Sequence, residues 1–315
     1  MKTVLVTGAT GFVAANLIRR LINMPYDLYT MSRPQSKIWR IKDIYNSLIN
    51  YEVDIRDETA VTSAVKEIEP DVILHLATHG AYPRTQKDFD TIMDTNITGT
   101  HNLLNACAKL GFNHFIYTGS SSEYGVKDKP MKENDEIEPI DTYGISKATA
   151  TTLCRTLALN DKLPITILRL FSVYGYYEAP TRLIPTLIRA QLKNEMVSFF
   201  EPYAVRDFIF IEDVVDVLAN MIEKPTTGEI FNVGFGEQHS VTEVLKIIMN
   251  LTDTYIFQFD KLDERREPKT WVSDNTKLKQ FLNWQPKFSL EAGLKKTVEW
   301  FKSNPQFMLP EGTSG

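Results

Sequence analysis

Cysteine is nearly absent: of 315 residues only Cys107 and Cys154 carry thiols. Two thiols build neither a disulfide framework nor a Cys-rich zinc site, and such scarcity suits a reducing compartment. Both lie in helix-like stretches and are expected in the core. Long hydrophobic runs are missing as well, so no stretch reaches the ~20 apolar residues of a bilayer span. Excess basic charge is lacking: 35 Lys and Arg face 40 Asp and Glu, a formal charge of −5. No nucleic-acid or membrane partner is therefore expected, and any phosphate-bearing ligand must be held by local sites. No Gly/Ser-rich linker or internal repeat divides the chain. Met1-Lys2 leads through a short apolar run, Thr3 to Val6, straight to glycine, without a secretory leader pattern, so the expected address is the cytoplasm. What is present, 43% hydrophobic and 24% charged residues, describes one large globular domain or two sharing a core.

Val4-Leu5-Val6 reads as a buried strand, Thr7 to Gly11 as a glycine turn, and Phe12 to Asn23 as a helix. This is the context a dinucleotide fingerprint requires. Gly8 permits the tight turn, Gly11 lets the backbone approach a diphosphate, and Ala14 occupies the close-packed place. Amides at the helix start, around Thr10, Gly11, Phe12 and Val13, are then free to hold the anion. The second strand, Leu28 to Met31, ends in Ser32-Arg33-Pro34, with Lys37 and Arg40 close behind. A hydroxyl and a guanidinium there welcome a ribose 2′-phosphate where an acidic residue would repel it, so NADP(H) is expected, with NAD as the other possibility. Asn50 to Ile55 reads as the third strand and its exit; Asp54 is placed to accept from the adenine amine, or else to cap the helix that runs to Ile68.

Asp71 to Ala77 is apolar enough for a strand buried on both faces, as in a parallel sheet. His75, inside it, is expected to be a core histidine. Leu76, Ala77, Thr78, His79 and Tyr82 follow its carboxyl end, where open α/β sheets bind ligands. One long helix is expected from Phe89 to Leu110, carrying Asn96 toward the cofactor, and then a fifth strand, Phe115 to Thr118. The sustained alternation predicts an α/β fold of Rossmann type, a doubly wound parallel sheet, with a smaller α/β lobe for substrate. Gly119-Ser120-Ser121-Ser122 follows the fifth strand and offers hydroxyls to a substrate oxygen. Further on, Tyr143 and Lys147 stand four residues apart on a predicted helix and so share a face. An ammonium beside a phenol favours the phenolate, which suits such a pair to moving a proton at a carbonyl oxygen.

With these residues the chain resembles the extended short-chain dehydrogenase/reductase family, in its nucleotide-sugar epimerase, dehydratase and reductase branch, over nearly its whole length. Further landmarks are Leu168 to Gly175, Arg206 to Asp213, Phe231-Asn232-Val233-Gly234 and Leu282 to Pro286. The resemblance implies Ser120 as the hydroxyl aiding Tyr143, Tyr143 as acid/base, and Lys147 as the group that lowers the tyrosine pKa and holds the nicotinamide ribose. It places Leu170 beside the cofactor, and His79, Ser121, Ser122, Ser172, Arg182, Arg206 and Arg265 or Arg266 around a nucleotide-diphosphate sugar. It also implies a homodimer through the helices at 91–110 and 143–159, with Ile97, Leu103, Leu153 and Leu157 facing outward.

Departures from the family pattern bear on the reaction. Dehydratases carry a Thr-Asp-Glu arrangement where this chain has Ser120-Ser121-Ser122, so water elimination is disfavoured. The related epimerase/reductase that makes GDP-fucose has a cysteine where Ser122 stands, and Tyr176 or Tyr177 takes the place of its histidine. A serine hydroxyl is too weak an acid for the thiol's task, which leaves reduction. The expectation is therefore an NADP-dependent 4-ketoreductase of a nucleotide-linked 4-keto-6-deoxy sugar, the alternative an NAD-dependent nucleotide-sugar 4-epimerase. A non-catalytic NADP sensor on the same fold is opposed by the retained tyrosine and lysine. The cofactor domain is expected at 1–170 with 204–236, and the substrate lobe at 171–203 with 237–315.

Overall fold

Alternating apolar residues, period two along each strand, decide how the chain layers itself. In β1 (Lys2–Thr7), Val4 and Val6 face one core while Leu5 faces the other, and all three are fully buried. The same division recurs in β4 (Val72–His75) with Leu74 against Ile73, in β5 (His114–Ser120) with Ile116 against Phe115, and in β6 (Ile165–Leu170) with Leu168 against Ile167. Burial on both faces demands helices on both sides. The computed structural model, which describes residues 1–81, 86–196, 198–199, 204–256, 258–259 and 270–308, shows them.

β2 (Tyr26–Ser32) and β3 (Ile49–Glu52) lie on one side of β1, and β4, β5, β6 and the strand Glu229–Val233 on the other. All seven are parallel. Strand order reverses between β1 and β4, which opens a crevice at their carboxyl ends. On one face α1 (Phe12–Leu21) and α7 (Ile211–Met221) supply Leu17, Ile18, Val214 and Leu218. On the other, α2 (Glu58–Ile68), α4 (Gly99–Leu110) and α5 (Thr142–Asp161) supply Val61, Val65, Leu103, Leu104 and Cys154. Cys107 and Cys154 are free and buried. Leu103, expected on an outward face, is fully buried against the sheet because α4 turns that stripe inward.

The expected single helix from Phe89 to Leu110 is interrupted. α3 (Phe89–Met93) and α4 are joined by a π-helical turn, Asp94–Thr98. The wider turn carries Asn96 to where its amide accepts from the His79 N–H at 2.8 Å and from the Thr78 hydroxyl at 3.0 Å, and donates to the His79 carbonyl and the Ser146 Oγ, each at 2.8 Å. A regular helix would have aimed that side chain about a third of a turn away.

Beyond β6 the chain builds the smaller lobe. Ser172–Tyr174 pairs in parallel with Phe208–Phe210, and Val205–Arg206 pairs antiparallel with His239–Ser240. Helices α6 (Leu183–Lys193), α8 (Val241–Thr252) and α10 (Leu290–Ser303) pack in the same apolar cluster as β1 and α1. The lobe therefore shares a core with the sheet. Among the described residues no helix is long and apolar enough to cross a membrane.

At Gly293 on α10 a Cβ would lie 2.1 Å from the Tyr174 Oη and 3.1 Å from the Phe210 Cβ. Gly293→Ala is expected to lower stability by about 1–3 kcal/mol through overpacking. Chemical denaturation checks this, with an unchanged midpoint counting against so close an approach.

Candidate active site

Backbone geometry at the end of β1 makes room before any side chain acts. Gly8 has φ +70°, and a Cβ there would sit 2.7 Å from the Ala77 backbone. Only glycine lets the turn pass so close beneath β4's exit. Gly11 caps α1 with extended backbone, so the first amides of the helix open on the crevice. That crevice has a volume of about 700 Å³, within the range of sites for small molecules and cofactors. It is lined by Gly8, Thr10, Gly11, Phe12, Val13, Ser32, Arg33, Asp54, Ile55, Leu76, Ala77, Thr78, His79, Ser120, Ser121, Ser122, Tyr143, Lys147, Leu170, Ser172, Arg182 and Arg206. Asn96 lies behind it, holding the 78–79 backbone as described. Tyr82, Arg265 and Arg266 fall outside the described residues.

At the far end of β2 the Ser32 hydroxyl is buried and shared with the Asn50 side-chain amide, at 3.1 and 3.3 Å. Asp54 is chelated by Arg56 at 2.6–3.1 Å, and that bond, with Arg33 adding a smaller pull, holds its carboxyl below the usual range. Arg33 thus shares its field with an ionised carboxylate, and the hydroxyl expected beside it is committed elsewhere. The 2′-phosphate site foreseen from Ser32-Arg33 is not assembled.

The reacting end is organised by a buried ion pair. Glu123, fully buried, accepts from the Arg169 Nε at 2.7 Å through one oxygen, and from the Ser120 N–H at 2.8 Å and the Thr151 hydroxyl at 3.0 Å through the other. Ser120 in turn caps the short 3-10 turn Ser121–Glu123, its Oγ accepting from the Ser122 N–H at 3.1 Å. Asp141 caps α5, its carboxylate accepting from the Gly144 N–H, and the first turn of the helix brings Tyr143 beside Ser120 and Thr78, whose hydroxyls draw the phenol's pKa down. Thr78 as a partner of Tyr143 was not legible in sequence, being contributed by the exit of β4.

Burial pushes the Tyr143 phenol up to about 12, with the Ser120 and Thr78 hydrogen bonds pulling the other way. Lys147, to which the family resemblance assigns the acidifying of Tyr143, is not among the groups that draw the phenol down in the ligand-free chain. Its ammonium lies 4.4 Å from the centroid of the Tyr117 ring, and burial pulls its own pKa down to about 8. In the ligand-free protein Tyr143 is therefore a protonated phenol, ready to donate. His75 is a core group as expected: its ring nitrogens meet the Thr7 and Thr100 hydroxyls at 2.7 and 2.9 Å, and burial lowers it to about 3, so it stays neutral.

Sequence missed several lining residues, among them Trp271, Arg40 and Glu178. Trp271 donates through Nε1 to the Ser121 Oγ at 3.2 Å, with the Arg206 guanidinium 5.4 Å from its ring centroid. Arg40, noted only as nearby basic charge, bridges the Tyr177 carbonyl at 2.8 Å and the Thr10 carbonyl at 3.2 Å. Glu178 follows the small-lobe strand into the crevice. Of the Arg206-Asp207 motif, Asp207 is structural: it is buried and accepts from the Phe235, Gly236 and Ser273 backbones.

A parallel sheet with a glycine turn at its switch point, and a serine, tyrosine and lysine converging beside it, defines a dinucleotide-binding α/β enzyme. Residues 4–234 match the model of the NAD dependent epimerase/dehydratase family, and the chain belongs to that family. It is 30% identical over 314 residues to an uncharacterized UDP-glucose epimerase, YtcB, of Bacillus subtilis (strain 168), covering 95% of this chain and 98% of that one. Among solved structures, the UDP-glucose 4-epimerase of Thermotoga maritima, with UDP-glucose, superposes with a TM-score of 0.89 at 28% identity, covering 96% of this chain and 99% of its own. The UDP-glucuronic acid 4-epimerase of Bacillus cereus, in complex with UDP-glucuronic acid and NAD, gives 0.84 at 28%, with the same coverage. These findings overturn the NADP-dependent 4-ketoreductase read from sequence: the relatives are nucleotide-sugar epimerases and, as with the dTDP-glucose 4,6-dehydratase of Haemophilus influenzae at 27% identity over 336 residues, dehydratases, and the cofactor in the Bacillus cereus complex is NAD, in keeping with the unassembled 2′-phosphate site.

A buried ammonium with its pKa lowered from 10.5 to about 8 destabilises the fold at neutral pH, by about 3 kcal/mol in order of magnitude. Between those values the unfolded chain binds the extra proton, so the cost fades as pH rises and is gone above the unfolded pKa. Lys147→Met is expected to melt higher than the parent near pH 7, with the gap closing by about pH 10. Thermal melts across that range check it, a lower melting point at neutral pH counting against it.

Proposed function

We propose that the protein is an NAD-dependent 4-epimerase of a nucleotide-diphosphate sugar. One observation carries the reading: Tyr143 meets Ser120 and Thr78 in the same crevice as the glycine turn, while the one carboxylate of the 120–123 segment is turned away. The crevice fits the cofactor by its shape: Gly8 and Gly11 line it, and Gly8 lets the turn pass close beneath the exit of β4. The first amides of α1 would hold the diphosphate, Asp54 and Arg33 would flank the adenosine end, and Lys147 and Leu170 would lie at the nicotinamide end. NAD, when bound, supplies a hydride acceptor and donor.

Tyr143 takes the proton from the sugar's C4 hydroxyl as a ketone forms and returns it when the alkoxide reappears on either face. Ser120 and Thr78 hold the oxygen and keep the phenol oriented. Arg206, Arg182 and Ser172 are assigned to the sugar nucleotide, with Trp271 offering an aromatic wall. We assign the cofactor half to 1–170 with 204–236 and the sugar-nucleotide half to 171–203 with 237–315. Dehydration, the family's other reaction, needs acidic groups that deliver and remove protons next to the ketone. Glu123 is buried with both oxygens engaged, and Ser121 and Ser122 carry no carboxyl.

Incubation with UDP-glucose and UDP-glucuronic acid should give the C4 epimer without added cofactor, followed by anion-exchange chromatography. Tyr143→Phe should reduce turnover by about 10²–10⁴-fold while NADH still binds. Turnover unchanged by that substitution, or a 4-keto-6-deoxy product, would refute the reading.

A homodimer through the outer faces of α4 and α5 is part of the proposal. Ile145 and Leu159 on α5, and Leu110 at the end of α4, are large apolar residues left exposed on the single chain. Light scattering should give twice the 36.0 kDa chain mass, and Ile145→Glu with Leu159→Glu should give the monomer; a monomeric parent would dismiss it.

A further inference from the structure

Lys147 is a buried cation with an aromatic partner. It is 2% exposed, lines the crevice, and among the described residues its ammonium makes no hydrogen bond and no ion pair. What it meets is the face of the Tyr117 ring, 4.4 Å from the centroid. A buried ammonium with no partner sheds its proton, whereas the negative face of an aromatic ring favours the charged form.

Local patterning produces the contact. Along β5, Phe115 and Tyr117 point to one face of the sheet and Ile116 to the other, so Tyr117 joins the core that also holds Ala150, Cys154 and Ala158 of α5. Lys147 lies on the same buried helix face as those residues, one turn before Ala150. The helix therefore lays an ammonium, where the next turns lay small side chains, against β5. The ring is itself fixed: Tyr117 is buried, and the His75 ring lies beside it at 5.8 Å between centroids. Its Oη is buried without a hydrogen-bond partner among the described residues, so Tyr117 offers Lys147 its ring face and its hydroxyl holds nothing.

We infer that Tyr117 is a positioning residue for the epimerisation: its ring seats the Lys147 side chain, as an ammonium, at the crevice wall beside Tyr143. The inference rests on the functional reading above and adds to it a residue that does not itself line the crevice. Tyr143 needs positive charge nearby to take the proton from the C4 hydroxyl. In the ligand-free chain other groups set the phenol; ligands that displace water from the crevice bring the ammonium's field to bear on it. Burial pulls Lys147 down to about 8, with Glu123 and Cys154 opposing, so the ring's hold on the proton matters from neutral to alkaline pH. Burial keeps the neighbours His75 at about 3 and Cys154 and Tyr143 at about 12, outside that range, and Glu123 is bound to Arg169.

The test compares the full-length parent with Tyr117→Phe, with phenylalanines carrying one and three fluorines at position 117, and with Tyr117→Leu. Fluorine withdraws charge from the ring face at nearly constant shape, so this series separates the cation's seat from packing. Lysine side-chain NMR, with the Lys147 signal assigned by its loss in Lys147→Met, reads the ammonium directly. Its titration midpoint in Tyr117→Phe should match the parent's, and it should fall with fluorination, by about one unit, a tenfold change in proton affinity, at three fluorines. Epimerisation of UDP-glucose or UDP-glucuronic acid by Tyr117→Phe should track the parent between about pH 6 and 9. With three fluorines turnover should stay within about twofold of the parent at the acid end and fall about tenfold behind it at the alkaline end, and Tyr117→Leu should show the same widening gap. Glu178, lifted by burial to about 7 in the same crevice, titrates in all of these proteins, so the ratio to the parent reports on position 117. A Lys147 midpoint unmoved by fluorine, a Tyr117→Phe as impaired as Tyr117→Leu, or a deficit of one size at every pH would each overturn the inference. A parent that epimerises neither sugar nucleotide would instead bring down the functional reading and the catalytic part of this inference, while the NMR series still decides whether the ring seats the charge.

Discussion

The buried ion pair between Glu123 and Arg169 is the constraint on which the candidate site depends. Its carboxylate gathers the Ser120 amide from the end of β5, the Thr151 hydroxyl from α5 and the guanidinium from β6, and so fixes three elements at one point. Gly119 shows how tightly: a Cβ there would sit 2.5 Å from the Glu123 Oε1. A pair of this kind gains little net stability, because desolvating both charges offsets most of their attraction, yet removing either partner strands the other in the core. Its worth lies in placement. With the pair intact, Ser120 faces Tyr143, and no free carboxylate stands beside the reacting carbon.

The same economy runs through the rest of the crevice. Asn96 uses a π turn to satisfy the 78–79 backbone, which presents Thr78 to the phenol. Asp207 gathers the amides of 235, 236 and 273, next to the Trp271 and Arg206 that meet on the crevice wall. Arg40 and Asn16 bind the 176–178 segment to the glycine turn. Each is a buried or half-buried polar group whose partners come from separate parts of the chain, and each holds a loop that apolar packing alone would leave free to shift.

Electrostatics sets the resting state. Burial pushes Tyr143 up, with the Glu123 charge adding to it, and pushes Lys147 down, so both lean toward their neutral forms before any ligand enters. The tyrosine rests as a donor, and its service as a base requires positive charge brought close to it; of the cations that line the crevice, Arg182 already draws its pKa down.

Local chemistry made the architecture readable from sequence. Period-two burial in the strands, a glycine turn after the first of them and the spacing of Tyr143 and Lys147 are properties of adjacent residues, and they specified the doubly wound sheet, the dinucleotide crevice and the three central side chains. Ser32-Arg33 misled for the same reason. Read locally they offer a phosphate site, but Asn50 claims the hydroxyl and Asp54 shares the cation's field, and both belong to the neighbouring strand and its exit. Which residues Tyr143 meets, where Glu123 points and why Asn96 needs a wider turn were decided by tertiary structure alone. Hydrogen bonds and burial couple residues by distance in space, and 46 positions of chain separate Glu123 from the arginine that orients it.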